Sequence, residues 1–149
     1  MAGWGGAFPI TAGILHDKSG PVRNISRLLV FKIGGKATLP AAPSLALSPL
    51  DPPVLKASAE VVAAGGALYG RYCGVCHGDA AYGSTVLPDL RRSGALGDAK
   101  SWATIVHGGA LKANGMVSFA GVMSEAQSET VRHYVIKRAN EDKALDAGE

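Results

Sequence analysis

Two cysteines and a histidine fall within five residues, Cys73-Gly74-Val75-Cys76-His77, and constrain this chain more than any other stretch. They are the only two cysteines among 149 residues, so no framework of several disulfides can hold a fold together. The fold must come from an apolar core, and the thiols must serve a redox dithiol, a metal ion or a covalently held cofactor. Composition supplies the core: 47% of residues are apolar and 18% charged, which suits one ordinary domain and carries no disorder signature. No apolar run approaches the ~20 residues that a membrane-spanning helix needs. Pro9 and Pro21 interrupt the apolar N-terminal stretch, and no basic residue precedes Lys18, so it does not begin like an export signal.

The net charge of +3 conceals an uneven layout. Lys18, Arg23, Arg27, Lys32 and Lys36 face only Asp17 in residues 1–36, whereas the rest holds ten basic and eleven acidic side chains. A nucleic-acid binder concentrates positive charge on its folded domain beside aromatic or groove-reading residues. Here the excess sits in a leading segment and aromatics make up 6% of the chain, which argues against nucleic acid as a partner.

Three zones follow one another. Residues 1–35 are glycine-rich and apolar, and Ser26–Ile33 reads as a β-strand with apolar side chains on both faces, stopped by Gly34-Gly35. Such a strand needs neighbours, so this zone is expected to be a remnant of a larger sheet domain. Residues 36–56 hold five of the eight prolines and form a linker, or a strap laid on a neighbouring surface. The strap is favoured because Leu39, Leu45, Leu47, Leu50 and Leu55 would otherwise face water. From residue 57 onward the pattern is helical. Ser58 caps a first helix that runs into Cys73, and a short second helix spans Asp98–His107 with Trp102, Ile105 and Val106 inward. The capping box Ser124-Glu125-Ala126-Gln127 opens a third, with Val131, Tyr134 and Val135 on its apolar face and an end near Asn140.

Cys-x-x-Cys-His is the pattern of c-type haem attachment. Two thiols one turn apart can each add to a vinyl group on one edge of the porphyrin, and the next residue brings its imidazole to the iron. A thioredoxin-like dithiol would follow a strand in a βαβ unit, whereas this motif follows a helix. A structural zinc site needs four ligands, and the spacing of His107 and His133 does not supply them.

Around this motif, residues Ser58–Asn140 resemble a small class I cytochrome c, an all-α fold. Gly65 and Tyr69 precede Cys73 by eight and four residues, and in that family such a pair lies where the first helix crosses the last, here opposite Tyr134. The resemblance makes Cys73 and Cys76 the thioether residues and His77 the proximal iron ligand. It implies that the Pro88 carbonyl accepts a hydrogen bond from His77 Nδ1 and that Leu90 packs on the haem. The resemblance also implies a soft, neutral distal donor from later in the chain, typically methionine. Met116, in the loop Asn114-Gly115-Met116-Val117, matches the family's position, with Met123 and His107 as alternatives. With both axial positions filled, the family transfers electrons and no catalysis is expected from this chain alone.

The remaining candidates have plainer readings beside the functional ones. Arg91 and Arg92 suit a haem propionate, because guanidinium matches carboxylate, or are simply solvated. Trp102 is a core residue that could also meet the haem edge, and His107 ends a helix. His133 is expected in water on the polar face of the last helix, and His16 sits in a loop with Asp17 and Lys18 and has no chemical role.

The order of the zones resembles the C-terminal end of a quinohaemoprotein alcohol dehydrogenase, whose β-propeller leads through a linker into a haem domain. The strand ending Leu-Leu-Val-Phe-Lys-Ile-Gly-Gly and the stretch Trp4-Gly5-Gly6-Ala7 carry that wider resemblance. It implies one covalent haem c here, with pyrroloquinoline quinone (PQQ) and calcium confined to a parent domain. It further implies a PQQ dehydrogenase as electron donor, a cytochrome c or small copper protein as acceptor, and a bacterial periplasmic location. An independent soluble electron carrier is the alternative.

Overall fold

A computed structural model describes residues 30–38, 40, 48–83 and 88–146. Among these the regular structure is helical: α1 (Ala59–Tyr72), α2 (Gly74–His77), α3 (Ala99–Val106) and α4 (Glu125–Asp146), joined by short 3-10 turns. Each long helix begins where the side chains dictate. Ser58 caps α1 with Glu60 in its first turn, and Asp98 caps α3 by accepting from the N–H groups of Lys100 and Ser101. At α4 the capping box closes both ways: Ser124 Oγ accepts from Gln127 N at 3.1 Å, and Ser124 N donates to Gln127 Oε1 at 2.8 Å.

α1 crosses α4 at the centre of the core. A β-carbon on Gly65 would lie 2.0 Å from the Thr130 carbonyl oxygen, so only glycine lets the two backbones meet there. Tyr69 stacks on Tyr134 with ring centroids 5.1 Å apart, as the resemblance implied. Val131, Val135, Ile136 and Ala139 of α4 complete the core with Leu96, Trp102 and Val106.

α4 extends beyond the expected end at Asn140, to Asp146. Asn140 does not stop the helix because its side-chain amide is engaged, donating to the carbonyls of Ile136 and Pro53, both at 2.9 Å. The next turn is held by Asp142, buried against Arg91.

Residues 48–56 lie as a strap on the helical domain. Leu50 is 8% exposed, Leu55 packs against the core, and Asp51 pairs with Lys143 at 3.1 Å. Arg92 Nη1 donates to the Ser48 carbonyl. Leu39, Leu45 and Leu47 lie outside the described residues, as do Trp4-Gly5-Gly6-Ala7, His16 and the first half of the expected strand. Its second half, Val30–Ile33, forms no strand and leaves Val30, Phe31 and Ile33 exposed. The apolar character of that run finds no pairing partner among the described residues.

Candidate functional site

α1 runs directly into the thiols: Cys73 N–H closes its last turn on Tyr69 O at 2.8 Å. The motif itself is one further helical turn, with Cys76 N–H and His77 N–H both directed at Cys73 O, at 3.1 and 2.9 Å. Residues three apart in a helix share a face, so both thiols project to one side of this turn. Both are free, Cys73 buried and Cys76 exposed. Burial, with Cys76 close by, pushes the Cys73 thiol up to about 12 and keeps it protonated.

His77 follows as a buried side chain whose Nδ1 lies 3.0 Å from the Pro88 carbonyl oxygen. A carbonyl only accepts, so Nδ1 carries the proton and Nε2 keeps its lone pair for a metal. The chain turns away from His77 at Gly78, where φ is 77°, and Tyr69 Oη donates to the Gly78 carbonyl at 2.7 Å. Burial raises the Tyr69 pKa, keeping that hydroxyl protonated to donate.

Met116 is delivered by a separate loop. Gly115 adopts a left-handed φ of 93°, and Met116 N–H donates to Leu111 O at 3.2 Å. The loop is fastened back to α3 through Phe119 N to Val106 O at 2.9 Å and Ser118 Oγ to His107 O at 2.5 Å. The Met116 side chain is half-buried against the core. Met123 is instead 3% exposed within the core cluster, which suits a packing residue ahead of the α4 cap. His107 is the C-terminal cap residue of α3.

Leu90 packs half-buried against the core. Trp102 is buried, and its indole Nε1 donates to the Ser128 carbonyl at 2.9 Å and to Ser128 Oγ at 3.1 Å, which accounts for it as a core residue. Arg91 departs from expectation. It is neither solvated nor a free partner for an acidic cofactor group: its side chain is 3% exposed and paired with Asp89 at 2.5 Å and Asp142 at 2.8 Å. Two carboxylates already match the guanidinium fork. His133 departs too, being half-buried with Nε2 3.3 Å from Glu129, because α4 turns that face towards the domain.

The donor set suits a covalent haem. Two free thiols share one helical turn, the adjacent imidazole has Nδ1 committed to the Pro88 carbonyl, and a thioether stands on a separate loop. Val75 beside Cys76, and Leu111, Val117 and Val122 around the Met116 loop, are exposed apolar side chains. Among the described residues no group of three or more His, Cys, Asp or Glu side chains is gathered to hold a metal ion.

Sequence reading missed Gly83, which lies against the Pro88 carbonyl, and Tyr82 and Asp142, which pack on Arg91. The one available signal was a glycine in the loop after His77, since glycine often marks a close backbone approach.

Comparison with known proteins agrees with this geometry. The family model described as cytochrome c oxidase, cbb3-type, subunit III matches residues 60–135. The dehydrogenase subunit of alcohol dehydrogenase (quinone) from Acetobacter aceti is 40% identical over 139 residues, covering 93% of this chain and 19% of that protein. Quinohemoprotein alcohol dehydrogenase ADH IIB of Pseudomonas putida is 42% identical over 145 residues, covering 95% and 20%. A solved structure of quinohemoprotein alcohol dehydrogenase ADHIIG from Pseudomonas putida HK5 superposes with a TM-score of 0.60 at 35% identity, over 74% of this chain and 16% of its own. The chain spans about one fifth of the length of these curated relatives. The matched family segment contains both thiols, His77, Met116 and the crossing of α1 with α4, and through it the chain belongs to the cytochrome c family described by that model.

Proposed function

We propose that this chain is the haem c electron-transfer domain of a quinohaemoprotein dehydrogenase, with Cys73 and Cys76 as the thioether residues. His77 Nε2 is the proximal iron ligand and Met116 the distal one. When bound, the haem supplies a one-electron couple; everything else is done by the chain. α1 and α2 present the two thiols on one face of a single turn. The Pro88 carbonyl holds the imidazole in the tautomer that leaves Nε2 free and strengthens it as a donor. Leu90, Met116 and Phe119 add apolar side chains packed half-buried against the core. Held by the His77 imidazole and the Met116 thioether, the iron would favour its reduced state.

The electron donor in this reading is a reduced PQQ-containing dehydrogenase domain, and the acceptor a downstream cytochrome c or small copper protein. PQQ and calcium belong to the donor domain, and no residue here is assigned to them. Maturation and action are in the bacterial periplasm. The supporting relatives are quinone-dependent and quinohaemoprotein alcohol dehydrogenases by description. Among the described residues no helix is long and apolar enough to cross a membrane.

The observation that carries this reading is the 3.0 Å contact between His77 Nδ1 and the Pro88 carbonyl beside two free thiols. Mass spectrometry of denatured, acid-acetone-extracted protein from a host competent in cytochrome maturation tests it. The polypeptide is expected to be heavier by one haem, with neither thiol open to alkylation. A mass equal to the bare chain overturns the reading.

A further inference from the structure

The Pro88 carbonyl that meets His77 Nδ1 sits on an exposed residue, outside regular structure. Proline has no N–H with which to anchor its own peptide, so neighbouring groups must fix where that carbonyl points.

Two features do so, and both come from the same pair of segments. The first is Gly83. A β-carbon there would lie 2.4 Å from Pro88 O, 2.3 Å from Pro88 C and 2.2 Å from Asp89 N. All three are backbone atoms that cannot rotate aside, so the chain at Gly83 lies directly on the Pro88–Asp89 peptide. The second feature is a clamp that begins at the Asp89 side chain of that peptide. The Asp89 carboxylate accepts from Arg91 N at 3.1 Å, from Arg91 Nε at 2.9 Å and from Arg91 Nη2 at 2.5 Å. Arg91 then reaches α4 through Nη1 to Asp142 Oδ2 at 2.8 Å. Its guanidinium lies over the ring of Tyr82, 3.3 Å from the centroid, next to Gly83 in the chain. Arg91 and Asp142 are 3% and 4% exposed.

A buried ion pair gains little net stability, because desolvating both charges offsets most of their attraction. What such a pair does well is hold a fixed geometry. Here the fixed geometry is that of the peptide against the imidazole.

We propose that Gly83 and the Asp89–Arg91–Asp142 clamp are positioning elements for the proximal ligand, holding the Pro88 carbonyl on His77 Nδ1. Through that bond they set the orientation and donor strength of the imidazole. The proposal rests on the haem reading above and replaces a propionate role for Arg91. A stronger Nδ1–H···O bond makes Nε2 a better donor and favours the oxidised metal. Loosening the clamp is therefore expected to raise the midpoint potential.

The test uses the haem-loaded protein and two variants that leave net charge unchanged, Gly83→Ala and Arg91→Lys. Lysine keeps the charge but cannot span both carboxylates. Both variants are expected to show a higher midpoint potential and a His77 Nδ1 proton, followed by NMR, that exchanges about tenfold faster, as loss of a well-made hydrogen bond predicts. Glu129→Gln, which breaks the Glu129–Arg132 pair on α4, serves as a control for general loosening and is expected to move neither value. If either variant loads haem and matches the parent in both readouts, the positioning role is overturned. A control that shifts as far as the variants overturns it equally. A parent lacking covalent haem would instead remove the underlying haem reading.

Discussion

At the scale of single residues, the two thiols and His77 owe their arrangement to position in the chain. They occupy one helical turn, so their relation is fixed once the turn forms. Met116 is different, because a left-handed Gly115 and the two bonds tying its loop to α3 decide where its sulfur lies. If Met116 is the distal ligand, Met116→Ala lowers the midpoint potential and opens the iron to added imidazole. Redox titration with and without imidazole checks this, and an unchanged potential would exclude Met116. The Asp98 cap makes a prediction in pH. Ser101 Oγ and the N–H groups of Lys100 and Ser101 hold this carboxyl below its usual range. A depressed folded pKa gives stability that is complete above the unfolded value of about 3.9 and is lost as pH falls through the folded one. Asp98→Ala therefore melts earlier than the parent at neutral pH. Thermal melts down the pH scale are expected to show the gap narrowing only in acid below that value.

At the scale of elements, the α1–α4 crossing carries the domain, and glycine decides how close it is. Gly65 and Gly70 lie in the same helix with opposite surroundings: a β-carbon at Gly65 strikes the Thr130 carbonyl, whereas one at Gly70 meets nothing within 4 Å. Gly65→Ala is expected to destabilise the fold by about 3 kcal/mol, the upper end of ordinary overpacking. Gly70→Ala is expected to stabilise it by about 0.5–1 kcal/mol through helix propensity alone. Denaturant melts of the pair check both signs. The beginnings of α1, α3 and α4 were legible in the sequence because a cap is a local device of three or four residues. The end of α4 was not. Asn140 is a plausible stop, yet its amide is held by Ile136 and Pro53, and the last turn rests on the buried Arg91–Asp142 pair. Contacts with residues some 50 to 90 positions away in sequence decide it.

At the scale of the whole molecule, the strap of residues 48–56 is tied both to the C-terminal part of α4 and to the turn after Pro88. The Asp51–Lys143 pair and the Pro53–Asn140 bond hold it to α4, Ser48–Arg92 holds it beside the Pro88 turn, and Leu50 is buried. Leu50→Ala is expected to cost about 2 kcal/mol, the low end for a leucine truncated at a buried site. It should also quicken proteolytic cleavage within residues 48–57, which limited digestion followed by mass measurement reads directly. The leucines of this segment hinted at docking, but only the structure shows Leu50 buried and Leu55 packed on the core of this same domain.

The sequence by itself determined the chemistry of the site and the helices that carry it. A five-residue motif, a capping box and a glycine four residues before a tyrosine act over one or two helical turns, and so are written locally. The tertiary structure alone decided what surrounds the Pro88 carbonyl, why Arg91 is buried and where α4 ends. Each depends on groups far apart in sequence meeting in a low-dielectric interior, where an ionised side chain must find a partner whichever segment supplies it.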